Sequence, residues 1–235
     1  MYFGVRFLRI SLIFVETINK KNKFMRKLLF TIAASLLLVT MYAQNMKAVK
    51  LNTPDKARGT SVMKALSDRH SDREFAVKEL SLQDLSDLLW AANGINRPDG
   101  KRTAPSALNK QDIDVYVIMK EGAYLYDAKD NSLQPVAAGD HRAAVAGGQD
   151  FVKSAPVSLV LVSDLSRFGS VTDQVKLMAA VDAGTVCQNI NIFCAATGLA
   201  TVPRASMDQA ALKQILKLTE SQLPIMNNPV GYPKK

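Results

Sequence analysis

The chain has 235 residues, of which 48% are hydrophobic and 22% charged, and its formal net charge is +9. Such a charge can indicate nucleic-acid or anionic-membrane binding, but residues 1–43 carry seven of the 30 basic residues and only one of the 21 acidic ones. The rest of the chain is therefore near neutral, which argues against a nucleic-acid partner. The length and composition are typical of one globular domain with an N-terminal targeting segment.

The N-terminus has the pattern of a secretory signal peptide. A basic stretch, Lys20–Lys27, precedes an apolar run, Leu28–Val39, that is too short to span a bilayer as a stable helix. Ala43 supplies a small residue before a cleavage point. We therefore expect a signal peptide over residues 1–43, cleavage after Ala43, export to the periplasm or the medium, and no stable membrane span in the mature form.

Two stretches are expected to lie outside the fold. Met25 begins a complete signal by itself, so residues 1–24 are either a misassigned start or a longer basic region, and an uncleaved anchor is the alternative. Residues 44–59 are polar and irregular and predict a linker or arm. The folded domain is thus expected over residues 60–235.

Helical and strand patterns alternate only loosely along this domain. In chain order they predict a helix over 60–67, a helix capped by Ser81 and ending at Asn93, strands over 113–119, 123–126 and 133–136, a helix over 140–148, a strand over 156–162, a helix over 171–197, a strand over 199–203, a helix over 208–218 and a strand over 223–226. The early hairpin favours a layered α+β fold, with helices flanking a central sheet, over a doubly wound one.

The longest helical pattern, residues 171–197, is small and apolar on all sides. Such a helix is buried in the centre of a domain or in a dimer interface. Cys187 and Cys194 are seven residues apart on it, about 10 Å along the axis, which is too far for a disulfide. We interpret them as small buried residues.

The densest polar cluster runs from Ser67 to Phe75. Arg69 and Arg73 lie four residues apart with Ser71 between them, so both guanidinium groups can meet one anionic ligand. The alternative is a solvated helix end, the usual role of a charged run. His70 and His141 are the only histidines and lack metal-ligand spacing. The hard chemistry would therefore come from a cofactor.

Four segments in order, residues 67–75, 103–111, 181–199 and 229–233, resemble motifs of the nitroreductase family of flavin-dependent oxidoreductases. The resemblance covers Val62 to the C-terminus. It implies a nitroreductase-like layered α+β fold with a mixed or antiparallel central sheet, a homodimer, and FMN held between the subunits.

The resemblance also implies roles for the first cluster. Arg69 and Ser71 match residues on the FMN phosphate, and His70 lies in the same cradle. Arg73 matches the basic residue beside flavin N1 and O2. Because two-electron reduction places negative charge there, a fixed cation raises the flavin potential.

Further cofactor-binding residues follow from the other motifs. The second motif, expected to contact the flavin of the partner subunit, supplies Pro105, Ser106 and Asn109. Without the other motifs, a turn with self-capping side chains explains it equally well. The segment expected to pass over the flavin centre supplies Pro203, Arg204 and Ala205. The backbone N–H of Ala205 would face N5, although the family often has an acidic residue followed by glycine here.

The chain ends where many family members continue to further basic residues on the phosphate. Lys234 and Lys235 are expected to substitute for them, or Arg69 carries more of the phosphate charge.

The resemblance implies an FMN-dependent oxidoreductase with a ping-pong cycle. Hydride would pass from a reduced donor, NAD(P)H being one, through N5 to a small electron-poor acceptor such as a nitroaromatic or a quinone. Export complicates the choice of donor, because nicotinamide cofactors are scarce outside the cytoplasm. The alternatives are an exported flavin-binding or interaction protein without physiological turnover and an anchored structural protein.

Overall fold

The centre of the fold is a seven-stranded sheet in which every neighbouring pair of strands is antiparallel. The computed structural model describes Lys27 and residues 46–234. Apart from Lys27, the predicted signal peptide lies outside the described residues, and so does its predicted cleavage point after Ala43. The same holds for residues 1–24, whose start is open, and for Lys235. The strands are β1 (Val49–Lys50), β2 (Ile113–Ile118), β3 (Gly122–Asp127), β4 (Ser132–Ala138), β5 (Val157–Asp164), β6 (Ala200–Thr201) and β7 (Gln222–Gly231), in the order β1-β4-β3-β2-β5-β7-β6.

Five helices accompany the sheet in the part of the chain from residue 46 to 234. They are α1 (Val62–Asp68), α2 (Leu82–Asn93), α3 (Arg142–Ala146), α4 (Asp173–Thr197) and α5 (Gln209–Ile215), with short 3-10 turns at Ala107–Asn109, Asp150–Ser154 and Leu165–Phe168. The Ser81 hydroxyl accepts the Asp84 N–H at 3.0 Å and starts α2. These elements confirm the predicted α+β layered fold. None of the helices described is both long and apolar enough to cross a membrane.

The predicted hairpin and the predicted central strand are both present. β2 and β3 pair in antiparallel register, with Val117 opposite Tyr124. β5 lies between β2 and β7, and its residues are buried except for the last, Asp164. Its continuous apolar run therefore reflects burial on both faces of the sheet.

The last strand is longer than predicted. We expected it over residues 223–226, the last apolar run of the sequence. The strand instead continues to Gly231 along β5. Asn227 and Asn228 are fully buried, and their side chains bond to residues of other elements, which compensates for burying two amides.

Helix α4 is buried along one face only. Cys187 and Cys194 lie on that face and are free thiols, and burial raises the pKa of Cys187 to about 11. The opposite face leaves Leu177 59% and Val181 58% exposed. Helix α4 is therefore not buried on all sides within the single chain, and burial of its outer face in a dimer interface stays a prediction.

Residues 47–59, part of the segment expected to be a linker or arm, pack against the domain. Lys47–Lys235 form one compact unit, and Val49 pairs with Leu133 in the sheet. Arg58 forms ion pairs with Asp84 and, at 2.9 Å, with Asp87. These partners lie more than 20 residues away in the chain, so the polar composition of the segment did not reveal them.

Candidate cofactor site

Three of the four motifs meet beside the C-terminal end of α4. The segment 69–75, which follows α1, lies against β6, because the Asp72 N–H donates to the Thr201 carbonyl at 2.9 Å. It also lies against the chain end, where the Ala76 N–H donates to the Tyr232 carbonyl at 2.9 Å. The fold therefore gathers the first motif, the end of the third and the fourth into one region.

A cleft of about 400 Å³ opens in this region. Its polar lining includes Asp68, His70, Asp72, Asn191 and Thr201. The predicted ligand His70 thus lines the cleft. Arg69, Ser71 and Arg73 do not line it, although they belong to the same segment.

The His70 ring bridges two acceptors at the cleft. Nδ1 lies 2.6 Å from the Asp68 carbonyl oxygen and Nε2 lies 3.1 Å from Asp72 Oδ1. A neutral imidazole has one N–H and can donate to only one of them, whereas the imidazolium donates to both. The hydrogen bond to the Asp68 carbonyl and the charge of Asp72 raise the pKa of His70.

Arg69 and Arg73 differ from the other arginines of residues 46–234. Neither guanidinium has a hydrogen-bond or ion-pair partner among the described residues, and the Ser71 hydroxyl between them has none either. Each of the other six donates to an oxygen of this chain; they are Arg58, Arg97, Arg102, Arg142, Arg167 and Arg204. Two unpaired cations flanking a hydroxyl fit an anionic group such as a phosphate.

The second motif docks on the middle of α4, away from the first. The Ala107 N–H donates to both carboxylate oxygens of Asp182, at 2.8 and 3.0 Å, and the Thr185 hydroxyl donates to the Pro105 carbonyl at 3.1 Å. The Ser106 hydroxyl accepts the Gln111 N–H at 2.8 Å, so this serine caps its own turn. Asn109 is exposed.

One chain does not bring the two predicted halves of the site together. Asp182, which holds the second motif, lies twelve residues before Cys194, which lines the cleft. Twelve residues of α-helix correspond to about 18 Å. Ser106 and Asn109 therefore lie far along α4 from the cleft.

The prediction that Arg204 binds the cofactor is corrected by its contacts within the chain. Its guanidinium donates to Gln149 Oε1 at 2.9 Å, to the carbonyls of Val145 at 3.1 Å and Ala146 at 2.8 Å, and to Asn227 Oδ1 at 2.7 Å. Its backbone N–H and carbonyl both bond to Asn227. Arg204 is buried, and burial lowers its pKa. The residue is committed to the core and is not available to a cofactor.

The remaining predicted ligands lie at the surface. Pro203 is half-buried and Ala205 is exposed, and the Ala205 N–H has no hydrogen-bond partner among the described residues. Lys234 is exposed, and its N–H donates to the Glu74 carbonyl at 3.4 Å. The chain end thus lies beside the first motif, which is consistent with the expected position of Lys234.

A buried pair of carboxyl groups lies beneath the second motif. Asp112 is fully buried, and its Oδ2 accepts the Ser163 hydroxyl at 2.6 Å. Burial and the neighbouring Asp182 carboxylate raise the pKa of Asp112 to about 6. We did not single out this pair from the sequence. The available signal was Asp182 itself, a charged residue on the buried face of an apolar helix.

The fold and site define an α+β protein with a polar cleft at the C-terminal end of α4. The sequence matches the model of the Nitroreductase family over residues 66–232. The chain therefore belongs to that family.

Individual relatives agree. A protein of Methanocaldococcus jannaschii named as a nitroreductase is 30% identical over 176 residues, covering 71% of this chain and 88% of that protein. The FMN reductase [NAD(P)H] of Bacillus subtilis is 22% identical, covering 73% of this chain and 66% of that protein. A solved structure from Ralstonia eutropha, titled as a nitroreductase, has 36% identity and a TM-score of 0.76, covering 81% of this chain and 91% of that one. These relatives support an oxidoreductase of the flavin type.

Proposed function

We propose that the protein is an FMN-dependent oxidoreductase. It would transfer hydride from a reduced donor to a small electron-poor acceptor by a ping-pong cycle. The observation that carries the proposal is that Arg69 and Arg73, on either side of Ser71, have no hydrogen-bond or ion-pair partner among the described residues. The chain that carries them belongs to the nitroreductase family. Neither guanidinium is used by this chain, so both are available to an anionic ligand.

The residues present fit FMN. Arg69 and Ser71 would hold the phosphate, and Arg73 would lie near the N1 and O2 edge of the ring. When bound, FMN supplies hydride chemistry at N5. The fixed charge of Arg73 would favour the reduced cofactor by stabilising the negative charge at that edge. The free N–H of Ala205 offers a further donor beside the ring, and Lys234 adds positive charge near the phosphate.

The complete site would need a second copy of the chain. Ser106 and Asn109 lie far from Arg69 and Ser71 within one chain, so one copy would provide the cleft and the other the second motif. Exposed apolar side chains on two helices support a homodimer, since exposed apolar patches mark interaction sites. They lie on α1 and the outer face of α4 and are Val62, Met63, Leu66, Leu177 and Val181, between 49% and 77% exposed.

The donor and acceptor are proposed by chemical class. The Bacillus subtilis relative is named for NAD(P)H, which supports a nicotinamide donor. The acceptor would be a planar, electron-poor molecule such as a nitroaromatic or a quinone, since it must accept hydride in the site that the donor has left.

The cofactor and the cycle are tested together by spectroscopy. Purified protein should be yellow or take up FMN, and anaerobic NADPH should bleach the visible absorbance of the oxidised flavin. Addition of a quinone or a nitroaromatic should restore it. A colourless protein that takes up no FMN would refute the proposal. Bound flavin that dithionite reduces and no acceptor reoxidises would favour a flavin-binding protein without turnover.

We further propose export with cleavage after Ala43, on the basis of the N-terminal pattern. Expression of the full chain with a C-terminal tag, followed by cell fractionation and N-terminal sequencing, tests this. Mature protein outside the cytoplasm should begin at Gln44. An intact Met1 in the exported fraction would contradict the cleavage. If the protein is exported, it would need an electron donor other than the cytoplasmic nicotinamide pool.

A further inference from the structure

The loop that carries Ser106 and Asn109 is held in a strained conformation. Leu108, Asn109 and Gln111 have positive φ angles of 51°, 53° and 48°. Non-glycine residues in this region cost roughly 1 kcal/mol or more each. Such a conformation persists only where surrounding contacts hold it in place.

Two residues of α4, one turn apart, provide those contacts. Asp182 receives the Ala107 N–H on both oxygens, and Thr185 donates to the Pro105 carbonyl. The two contacts hold the chain on either side of Ser106. Asp182 is only 4% exposed, so its carboxylate is removed from water and depends on its neighbours.

A second acid, Asp112, interacts with Asp182. Asp112 is fully buried, with a relative exposure of 0%, and its Oδ1 has no hydrogen-bond partner among the described residues. Its carboxyl interacts with that of Asp182. A proton on Asp112 would satisfy the unpartnered oxygen by donating to Asp182, as in other carboxyl pairs.

The other charged groups facing Asp112 do not neutralise it. Arg167 is the cation that interacts with it, but Arg167 is committed to Asp114 by two hydrogen bonds of 2.6 and 2.8 Å and to the Gln111 carbonyl. From β5, Ser163 supplies only a hydroxyl. From α4, Asp182 supplies only negative charge.

We propose that a proton on Asp112 donates to the Asp182 carboxylate, and that the two aspartates together hold the loop 105–111 in the conformation that presents Ser106 and Asn109 to the flavin. Both aspartates are positioning residues, since they act through the loop. The inference rests on the proposed function, because the flavin is the ligand that the loop would meet. Loss of the proton from Asp112 places a second negative charge beneath the loop, weakens the contact with Ala107 and lowers cofactor affinity.

The affinity test compares the wild-type protein with Asp112→Asn. The amide of that variant donates to Asp182 at every pH, so it imitates the protonated pair. FMN dissociation constants are measured by flavin fluorescence from pH 5 to pH 8 at constant ionic strength. The ratio of wild-type to variant Kd should be near one at pH 5 and should rise roughly fivefold or more by pH 8. The titration of the FMN phosphate affects both proteins equally and cancels in the ratio.

A control and a second readout separate the possible failures. Asp173→Asn makes the same chemical change at an exposed site of α4 and should follow the wild type. A flat Kd ratio across the pH range would overturn the proposal. If no FMN binds at any pH, the proposed function fails, but amide exchange at Ala107 in the free protein still tests the pair. After correction for intrinsic rates, its protection should fall with rising pH in the wild type and not in Asp112→Asn. Equal protection in both proteins would overturn the inference.

Discussion

Replacing Asp112 with asparagine should change how the stability of the protein depends on pH. The pKa of Asp112 is raised from its ordinary value of 3.8 to about 6 in the folded protein. The folded state therefore binds the proton more tightly than the unfolded state, so the free energy of unfolding falls as pH rises through this interval and levels off above it. A separation of about two pKa units corresponds to about 3 kcal/mol. Asp112→Asn has no titrating group there and should lack this decline.

Urea unfolding followed by the fluorescence of Trp90, the single tryptophan, measures the effect at pH 4, 5, 6 and 7. The wild type should lose about 2 kcal/mol relative to Asp112→Asn between pH 4 and pH 7, because part of the titration of the unfolded state lies below pH 4. Asp173→Asn provides the control, because its carboxylate is exposed. Parallel stability curves for the wild type and Asp112→Asn would refute the argument that burial beside Asp182 keeps this carboxyl protonated.

Three further predictions address the cofactor, the core and the dimer. Arg69→Ala and Arg73→Ala should each weaken FMN binding by roughly 1.5–3 kcal/mol, about ten- to a hundredfold in Kd, because each removes a charge-assisted contact, as measured by fluorescence titration. Arg204→Met should lower the free energy of unfolding by about 3–5 kcal/mol, since it leaves several buried acceptors unsatisfied, as measured in urea. The double variant Leu177→Glu/Val181→Glu should sediment as a monomer, because it places charges on an apolar face that a second copy would cover.

Each of these has a control in the same chain. Arg97→Ala removes another exposed guanidinium and should leave FMN affinity unchanged, and Arg97→Met should change stability by no more than about 0.5 kcal/mol. Lys176→Glu adds negative charge at an exposed position of α4 and should not change the sedimentation. Unchanged FMN affinity in both Arg69→Ala and Arg73→Ala would contradict the cofactor assignment, and a wild type that sediments as a monomer with FMN bound would contradict the shared site.

Local signals in the sequence were sufficient for most of the elements. Ser81 caps its helix as predicted, because the pairing of a hydroxyl with an N–H three residues later is a local property. The alternation of apolar residues predicted the hairpin of β2 and β3, and the order of the motifs predicted the family, which the match over residues 66–232 confirms. These features depend on neighbours within a few residues or on residue identity alone.

Contacts between distant residues decided the rest. Arg69 and Arg204 are the same residue type in similarly polar segments, yet the first has no partner among the described residues and the second is held by Val145, Ala146 and Asn227. The sequence assigned both to the cofactor, and only the bonds of Arg204 to α3 and β7 separated them. The Asp112 and Asp182 pair is hidden in the same way, since its members are 70 positions apart in the chain. The sequence determines which groups are available, whereas the tertiary structure determines which of them are already satisfied, because desolvation and pairing depend on neighbours that only folding brings together.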